Sequence, residues 1–285
     1  MNTEAERSLS MQSGHGKVAV CRARRAAWLG AVRYSEQVEL SVVIPTLDEG
    51  GCIERTVRRA LAAGAEVWVV DGGSRDATRE RASAAGARVL VAERGRARQL
   101  AAGVEASRGE ALVFLHADTL LPARWRPAVE ATLSKPDVSC GAFGFRFERV
   151  PGRRLGFALA FVEWGARLRV ALLGWPYGDQ GLFVRRSALE AMGGVPQVPI
   201  MEDLDLVSAM RRYGRIECLA LPAVTSPRRY LRHGPLRTML RNWAATVAWA
   251  CGLDRARIAA WYYQTERAIP RAAAAARTTS EASRS

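Results

Sequence analysis

Ala111–Leu121, ALVFLHADTLL, joins a short apolar run, Leu112–Leu115, to a small polar cluster, His116-Ala117-Asp118-Thr119. An apolar run of that length reads as a strand buried on both faces of a parallel sheet. Ligands of open α/β sheets bind beyond the carboxyl ends of the strands, which puts Asp118 where chemistry takes place. An Asp in this position can equally cap a following helix. The flanking sequence has to decide between the two.

Upstream, the same pattern repeats. LSVVIP (40–45) and EVWVVD (66–71) are further apolar runs, and Ala87–Val91 is a third, shorter one. Between them apolar residues fall at helical spacing: Glu49–Ala63 through Ile53, Val57 and Leu61, closed by Gly64, then 77–85, then Arg96–Ala106. The glycine turn GGSRDAT (72–78) offers Ser74 or Asp76 as a cap for the second helix. Strands alternating with helices imply a parallel sheet with right-handed crossovers. Downstream, a helix is expected near 123–134, a strand over Ser139–Glu148, an amphipathic helix over 154–173 and a loop over 174–181. A strand Leu182–Arg185, a helical turn at 187–192, a helix entered through PIMEDLDL (199–206) and a strand Ile216–Ala220 follow. Helices are expected over Leu236–Ala250, with Leu236, Leu240, Trp243 and Val247 on one face, and over Asp254–Tyr263.

With 285 residues, 49% hydrophobic and 25% charged, the chain has the composition of a globular protein with a substantial core. Residues 1–37 are polar, Arg-rich and aperiodic and read as a disordered leader; 38–225 hold the α/β domain. Residues 226–268 read as a helical extension and 269–285 as a disordered low-complexity tail. The net charge of +14 is nearly all arginine, since Lys17 and Lys135 are the only lysines, and this looks like a coding bias. Residues 225–285 carry eleven Arg against Asp254, Glu266 and Glu281, so the basic end is the C-terminal one. Its expected partner is an anionic membrane surface rather than nucleic acid. Cys21, Cys52, Cys140, Cys218 and Cys251 are scattered without metal spacing, and the N-terminus shows no signal peptide. Both point to a reducing, cytoplasmic setting, with room for peripheral attachment at the inner face of the membrane. Leu155–Trp175 is interrupted by Glu163, Arg167 and Arg169 and reads as an amphipathic helix, not a spanning one.

Three strand ends converge on one edge of this sheet: Pro45-Thr46-Leu47-Asp48-Glu49, Asp71-Gly72-Gly73-Ser74 and His116-Ala117-Asp118. A carboxylate at a glycine turn can hold a ribose or a base N–H, and one beyond the next strand can hold a divalent metal that bridges two phosphates. No G-x-G-x-x-G follows the first strand and no P-loop motif occurs, which removes the dinucleotide-oxidoreductase and P-loop readings.

SVVIPTLDE, VVDGGSRDAT, VFLHADT, GDQG and MEDLDL, in this order, resemble the inverting family 2 glycosyltransferases of the GT-A fold. The resemblance spans about residues 40–265. It is strongest to the small bacterial subgroup associated with radical-SAM and selenodomain proteins, which carries HADT and GDQG-x-F-V-R-R. It implies an α/β fold of GT-A (Rossmann-like) type, a mostly parallel sheet flanked by helices with a helical C-terminal extension. It implies a nucleotide-sugar donor, most often a UDP-sugar, a hydroxyl acceptor, and Mg²⁺ or Mn²⁺ as cofactor; the apolar segment 155–175 and the Trp- and Arg-rich tail point to an acceptor that is lipid-like or a small hydroxylated molecule. By the same resemblance Pro45, Thr46, Leu47 and Glu49 line the nucleoside pocket and Asp71, with Gly72, holds the base. Asp118, with His116 and Ala117, occupies the D-x-D position and ligates the metal, and Asp203 is the catalytic base with Glu202 beside it.

The chemistry suits those roles. Inverting transfer needs a base for the acceptor hydroxyl and positive charge on the departing diphosphate. Glu202, Asp203 and Asp205 are also the acids a helix dipole favours in a first turn. Gly178, Asp179 and Gln180 are expected to shape the sugar and acceptor pocket, or to form a plain glycine turn. Arg228 and Arg229 are placed to reach the diphosphate, or to form a solvated basic face. Arg96 is placed to contact phosphate, or simply opens a helix. His116 replaces the first acid of D-x-D and leaves one carboxylate for the metal. The absence of Q-x-x-R-W favours transfer of a single sugar over polymerisation. A nucleotidyltransferase would want a Gly- and Lys/Arg-rich loop after the first strand, which PTLDEGG lacks. A non-catalytic nucleotide-sugar or membrane-surface binding protein is the remaining alternative.

Overall fold

The computed structural model describes residues 39–267. The expected leader 1–37, the tail 269–285 and Cys21 lie outside the described residues. In chain order come β1 (Leu40–Thr46), α1 (Ile53–Leu61), β2 (Glu66–Asp71), α2 (Thr78–Ala84), β3 (Arg88–Val91), α3 (Arg96–Ala106) and β4 (Ala111–Phe114). Then follow β5 (Thr119–Leu120), α4 (Trp125–Leu133), β6 (Val138–Phe147), α5 (Arg153–Leu173), a 3₁₀ turn Gly178–Gln180, β7 (Leu182–Arg185) and α6 (Arg186–Met192). The described chain closes with α7 (Glu202–Met210), β8 (Arg215–Thr225), α8 (Arg228–His233), α9 (Pro235–Ala250) and α10 (Arg255–Arg267).

The strands form one sheet in the order β3-β2-β1-β4-β7-β6-β8-β5. β7 and β5 run against their neighbours; every other pairing is parallel. Side chains alternate across each strand. Val42, Ile44, Val67, Val69 and Val113 meet α1, α2 and α4 on one face, through Ile53, Val57, Ala82, Trp125 and Val129. Val43, Val70, Leu112 and Phe114 meet α3, α6 and α7 on the other, through Leu100, Leu189, Leu206 and Val207. Burial on both faces explains why these strands read as continuous apolar runs.

The antiparallel insertion of β7 positions the site. Leu182 pairs with Phe114, so the loop that delivers β7 stands at the carboxyl end of β4. Gly141 on β6 leaves room for the ring of Phe183, which a Cβ there would strike. At the far edge Thr119 pairs with Thr225, which brings the start of α8 against Asp118. β8 runs past the expected Ala220 to Thr225, and β5 and α8 were not expected from the sequence at all. A two-residue strand and a six-residue helix are too short to show a period.

α5 packs through Leu159, Val162 and Ala166 on Phe145 and Phe147, and α9 and α10 build a further cluster around Ala245, Ile258 and Tyr262. The expected C-terminal helices therefore lie on the α/β body. Among the described residues no helix is long and apolar enough to cross a membrane.

Candidate active site

The loops after β1 and β2 are laced together. The N–H groups of Asp48, Glu49 and Gly50 donate to Ser74 Oγ (2.8 Å), Thr78 Oγ1 (2.8 Å) and Asp76 Oδ2 (3.0 Å). Asp76 also accepts the Thr78 N–H at 3.1 Å, but the residue that caps the helix is Ala77, without a side-chain bond, and Ser74 is spent on Asp71 and Asp48, so neither expected cap is seen. Gln99, which the sequence did not single out, donates Nε2 to the carbonyls of Thr46 (2.8 Å) and Val70 (2.7 Å) and ties the two strand ends. Asp48 (φ 54°) and Met201 (φ 65°) are the non-glycine residues in the left-handed region among those described, and both border the site. Strain of this kind collects at functional sites.

Asp71 is fully buried. Its carboxylate accepts from the N–H groups of Gly73 (3.1 Å) and Ser74 (3.0 Å) and from Ser74 Oγ, so it holds its own turn rather than standing open for a base. Ala117 is buried and its carbonyl accepts from Thr56 Oγ1 at 2.7 Å. Asp118 stands out from this frame. Arg228, at the start of α8, donates Nε to Asp118 Oδ2 at 3.2 Å and Nη2 to both carboxylate oxygens of Glu49. Arg228, itself exposed, thus joins the two acids. Burial raises the Asp118 carboxyl above its ordinary value against the pull of Arg228. Cys52 donates to Glu49 Oε2 at 3.2 Å, and burial with Glu49 pushes its thiol up to about 12, so it is no nucleophile.

Asp203 lies across a cavity of about 20 Å³ lined by Pro45, Arg96, His116, Gly178, Glu202 and apolar side chains. Its Oδ2 accepts the Gly178 N–H at 2.7 Å and its Oδ1 the Leu204 N–H at 2.9 Å, so loop and helix start both aim it. A Cβ on Gly178 would come 3.1 Å from His116 Nε2 and 3.3 Å from Asp203 Oδ2. Around this point His116 Nε2, Glu202 Oε1 and Asp179 Oδ1 are buried without a hydrogen-bond partner. His116 and Glu202 line the one cavity, and Asp179 lines a neighbouring one with Arg169 and Tyr177; unsatisfied buried polar atoms are uncommon, so the pair at the first cavity marks it as a candidate site. Burial, then Arg96 and Arg229, hold the His116 imidazole well below its ordinary value, so it is neutral. Burial pushes Asp179 up to about 6 against the attraction of Arg169. Burial raises Glu202 as well, opposed by Arg96 at 3.6 Å, an ion pair too long for a hydrogen bond.

Arg96 pairs with Glu202 at 3.6 Å and lines the cavity beside Pro45 and His116. Other expected residues point elsewhere. Arg229 donates to Tyr262 Oη on α10 instead of reaching toward Asp118. Gln180 is buried, with Oε1 accepting from Arg169 Nη2 and from the Tyr177 N–H (both 3.1 Å) and Nε2 donating to Phe143 O (2.9 Å). It is a strut for the loop rather than a pocket wall. Asp205 accepts from Trp249 Nε1 at 2.7 Å and Arg255 Nη2 at 3.0 Å and so anchors the C-terminal helices. Tyr177 had no signal in the sequence; its ring lies 3.3 Å from the Arg169 guanidinium and its hydroxyl bonds Thr246 of α9.

Among the described residues no three His, Cys, Asp or Glu side chains are grouped to hold an ion. His116 Nε2 is aimed toward Gly178 and Asp203, which leaves Asp118, with Glu49 across Arg228, as the carboxylates at the strand ends. That set fits a cation that takes most of its oxygens from a bound diphosphate, the usual habit of Mg²⁺, and not a resident one.

The family model for glycosyl transferase family 2 matches residues 41–193, more than half of the chain. The chain belongs to that family. It is a glycosyltransferase, and its sheet and flanking helices are those of the GT-A fold. Among solved structures, a mycobacterial protein is 26% identical, with 81% of this chain and 78% of that one covered at a TM-score of 0.51. Glucosyl-3-phosphoglycerate synthase from Mycobacterium tuberculosis, solved with Mn²⁺, UDP-glucose and phosphoglyceric acid, is 23% identical, covering 79% and 87% at a TM-score of 0.54. The same enzyme with Mg²⁺ and UDP is 22% identical, covering 82% and 84% at 0.52. No match was found among curated proteins.

Proposed function

We propose that this glycosyltransferase moves a single sugar, with inversion, from a UDP-sugar to a hydroxyl of a lipid-like acceptor, with Asp203 as general base. The observation that carries the reading is the aim of Asp203: one carboxylate, fixed by two backbone N–H groups, faces the cleft where β1, β4 and the Gly178 loop meet. Asp203 takes the acceptor proton as the oxygen attacks the anomeric carbon. Neutral His116 and Glu202 flank it and keep the reacting groups in register. The turns after β1 and β2 form the nucleoside side, with Thr46, Leu47, Glu49 and Gly72 beside the Asp71 turn. Arg228 serves the departing diphosphate when it leaves Glu49 and Asp118. Asp118 would hold Mg²⁺ or Mn²⁺, which supplies charge neutralisation at the diphosphate. The metal and UDP in the glucosyl-3-phosphoglycerate synthase structures support the donor side.

Release of UDP from a panel of UDP-sugars, with Mg²⁺, Mn²⁺ or chelator, tests the reading. Asp203→Asn is expected to lower turnover by about 10²–10⁴-fold while UDP binding persists. Full turnover in that variant refutes Asp203 as the base.

A further inference from the structure

We infer that the outer face of α5 and α9 seats this protein on an anionic bilayer, with the Asp203 cleft directly behind the seat; the inference rests on the lipid-like acceptor proposed above. On α5, Phe157, Phe161, Trp164, Leu168 and Leu172 follow one another at helical spacing along a single stripe. Four of the five are more than half exposed, Leu172 at 72%, and Phe161 stacks on Trp164 with ring centroids 5.7 Å apart in full view of solvent. The opposite side of the helix, Leu159, Val162 and Ala166, is the one that packs. α9 carries a second stripe, Leu236, Leu240 and Val247, each more than half exposed.

The two stripes border one seam. Gly165 of α5 faces Met239 of α9. Phe161 and Leu168 stand four before and three after Gly165, and Leu236 stands three before Met239, so the apolar rows line both sides of that contact. An exposed apolar patch across two helices marks an interaction surface.

The charge around it selects the occupant. Exposed arginines at 154, 167, 232 and 237 flank the stripes. Aromatic and leucine residues on one face with arginine at the borders is the pattern of a helix lying in a membrane interface, and arginine favours anionic headgroups. Self-association through this face would oppose the same arginines in both copies. The backs of the two helices reach the site: Arg169 of α5 bonds Gln180 Oε1 at 3.1 Å, and Thr246 of α9 bonds Tyr177 Oη, next to Gly178.

Co-sedimentation of the full chain with vesicles of phosphatidylcholine alone, and of phosphatidylcholine with phosphatidylglycerol, tests the inference. The protein is expected to partition about tenfold better onto the anionic vesicles and to be released by high salt. Phe161→Ser combined with Trp164→Ser and Leu240→Ser is expected to stay in the supernatant, with melting temperature and UDP binding as in the native chain. Leu172→Glu alone, at the exposed end of α5, provides the same readout in a fold less heavily altered. Indifference to anionic lipid, or variants that sediment as the native protein does, overturns the inference. So does a concentration-dependent dimer in light scattering that these substitutions abolish. Native protein that binds anionic vesicles but no UDP-sugar sinks the donor reading and leaves the membrane seat standing.

Discussion

Gly178→Ala puts the aim of Asp203 to the test without touching a charged group. The new methyl group would stand 3.1 Å from His116 Nε2 and 3.3 Å from Asp203 Oδ2, tighter than ordinary contact by a few tenths of an ångström. His116 is packed at the end of β4, so the carboxylate is the part that yields, and with it the 2.7 Å bond from the Gly178 N–H. A shift of about 0.5 Å in the base follows. Since a 1 Å misplacement costs about 100-fold, half of that costs about tenfold. A tenfold loss is about 1.4 kcal/mol of barrier. The proposed donor contacts lie at the ends of β1, β2 and β4, so KM for the donor is expected to stay within about twofold. The methyl group costs about 1 kcal/mol of stability by overpacking. The assay is steady-state UDP release, with thermal melting to confirm that the variant folds. Native kcat in a folded variant, or a loss carried wholly by KM, refutes the claim that this loop aims the base.

Other outcomes follow from the same geometry. Asp118→Asn is expected to abolish the stimulation of UDP binding by Mn²⁺ in calorimetry; undiminished stimulation places the metal elsewhere. Arg228→Gln is expected to raise the donor KM about tenfold with little change in melting, since partly exposed ion pairs add little stability; an unchanged KM removes Arg228 from the diphosphate. Asp179 ionises near 6 when folded against 3.8 for the free group, so the folded chain holds this proton more tightly. Its cost to stability is absent below the unfolded value, grows between the two and is complete above about pH 6. Asp179→Asn is therefore expected to stabilise the protein by about 3 kcal/mol near pH 7.5 and hardly at all near pH 4. A variant no more stable than the native chain at the higher pH contradicts this.

The parallel half of the fold was legible because its strands are buried on both faces and stand out as apolar runs; EVWVVD (66–71) coincides with β2 residue for residue. The direction of β7 was not legible, because a four-residue strand, LFVR, carries no sign of which way it enters a sheet. In the site, Asp118 and Asp203 were singled out through local motifs; Asp203 lines the cavity with Pro45 and His116, and Asp118 meets Arg228 at the end of the sheet. Arg229 and Gln180 were misplaced because their partners, Tyr262 and Arg169, come from helices that no local pattern connects to them. Gln99 was missed for a related reason: an amide inside a helix announces nothing until the strand ends it bridges are side by side.

The guanidinium that joins Glu49 and Asp118 is synthesised late. Arg228 follows Glu49 by 179 residues, and at ribosomal speed that is a wait of roughly 10–35 s. Throughout it the emerging sheet carries these two acids without the arginine that joins them. A chain cut short before α8 is therefore more than incomplete: two like charges stand at one edge of its sheet with no residue to bridge them.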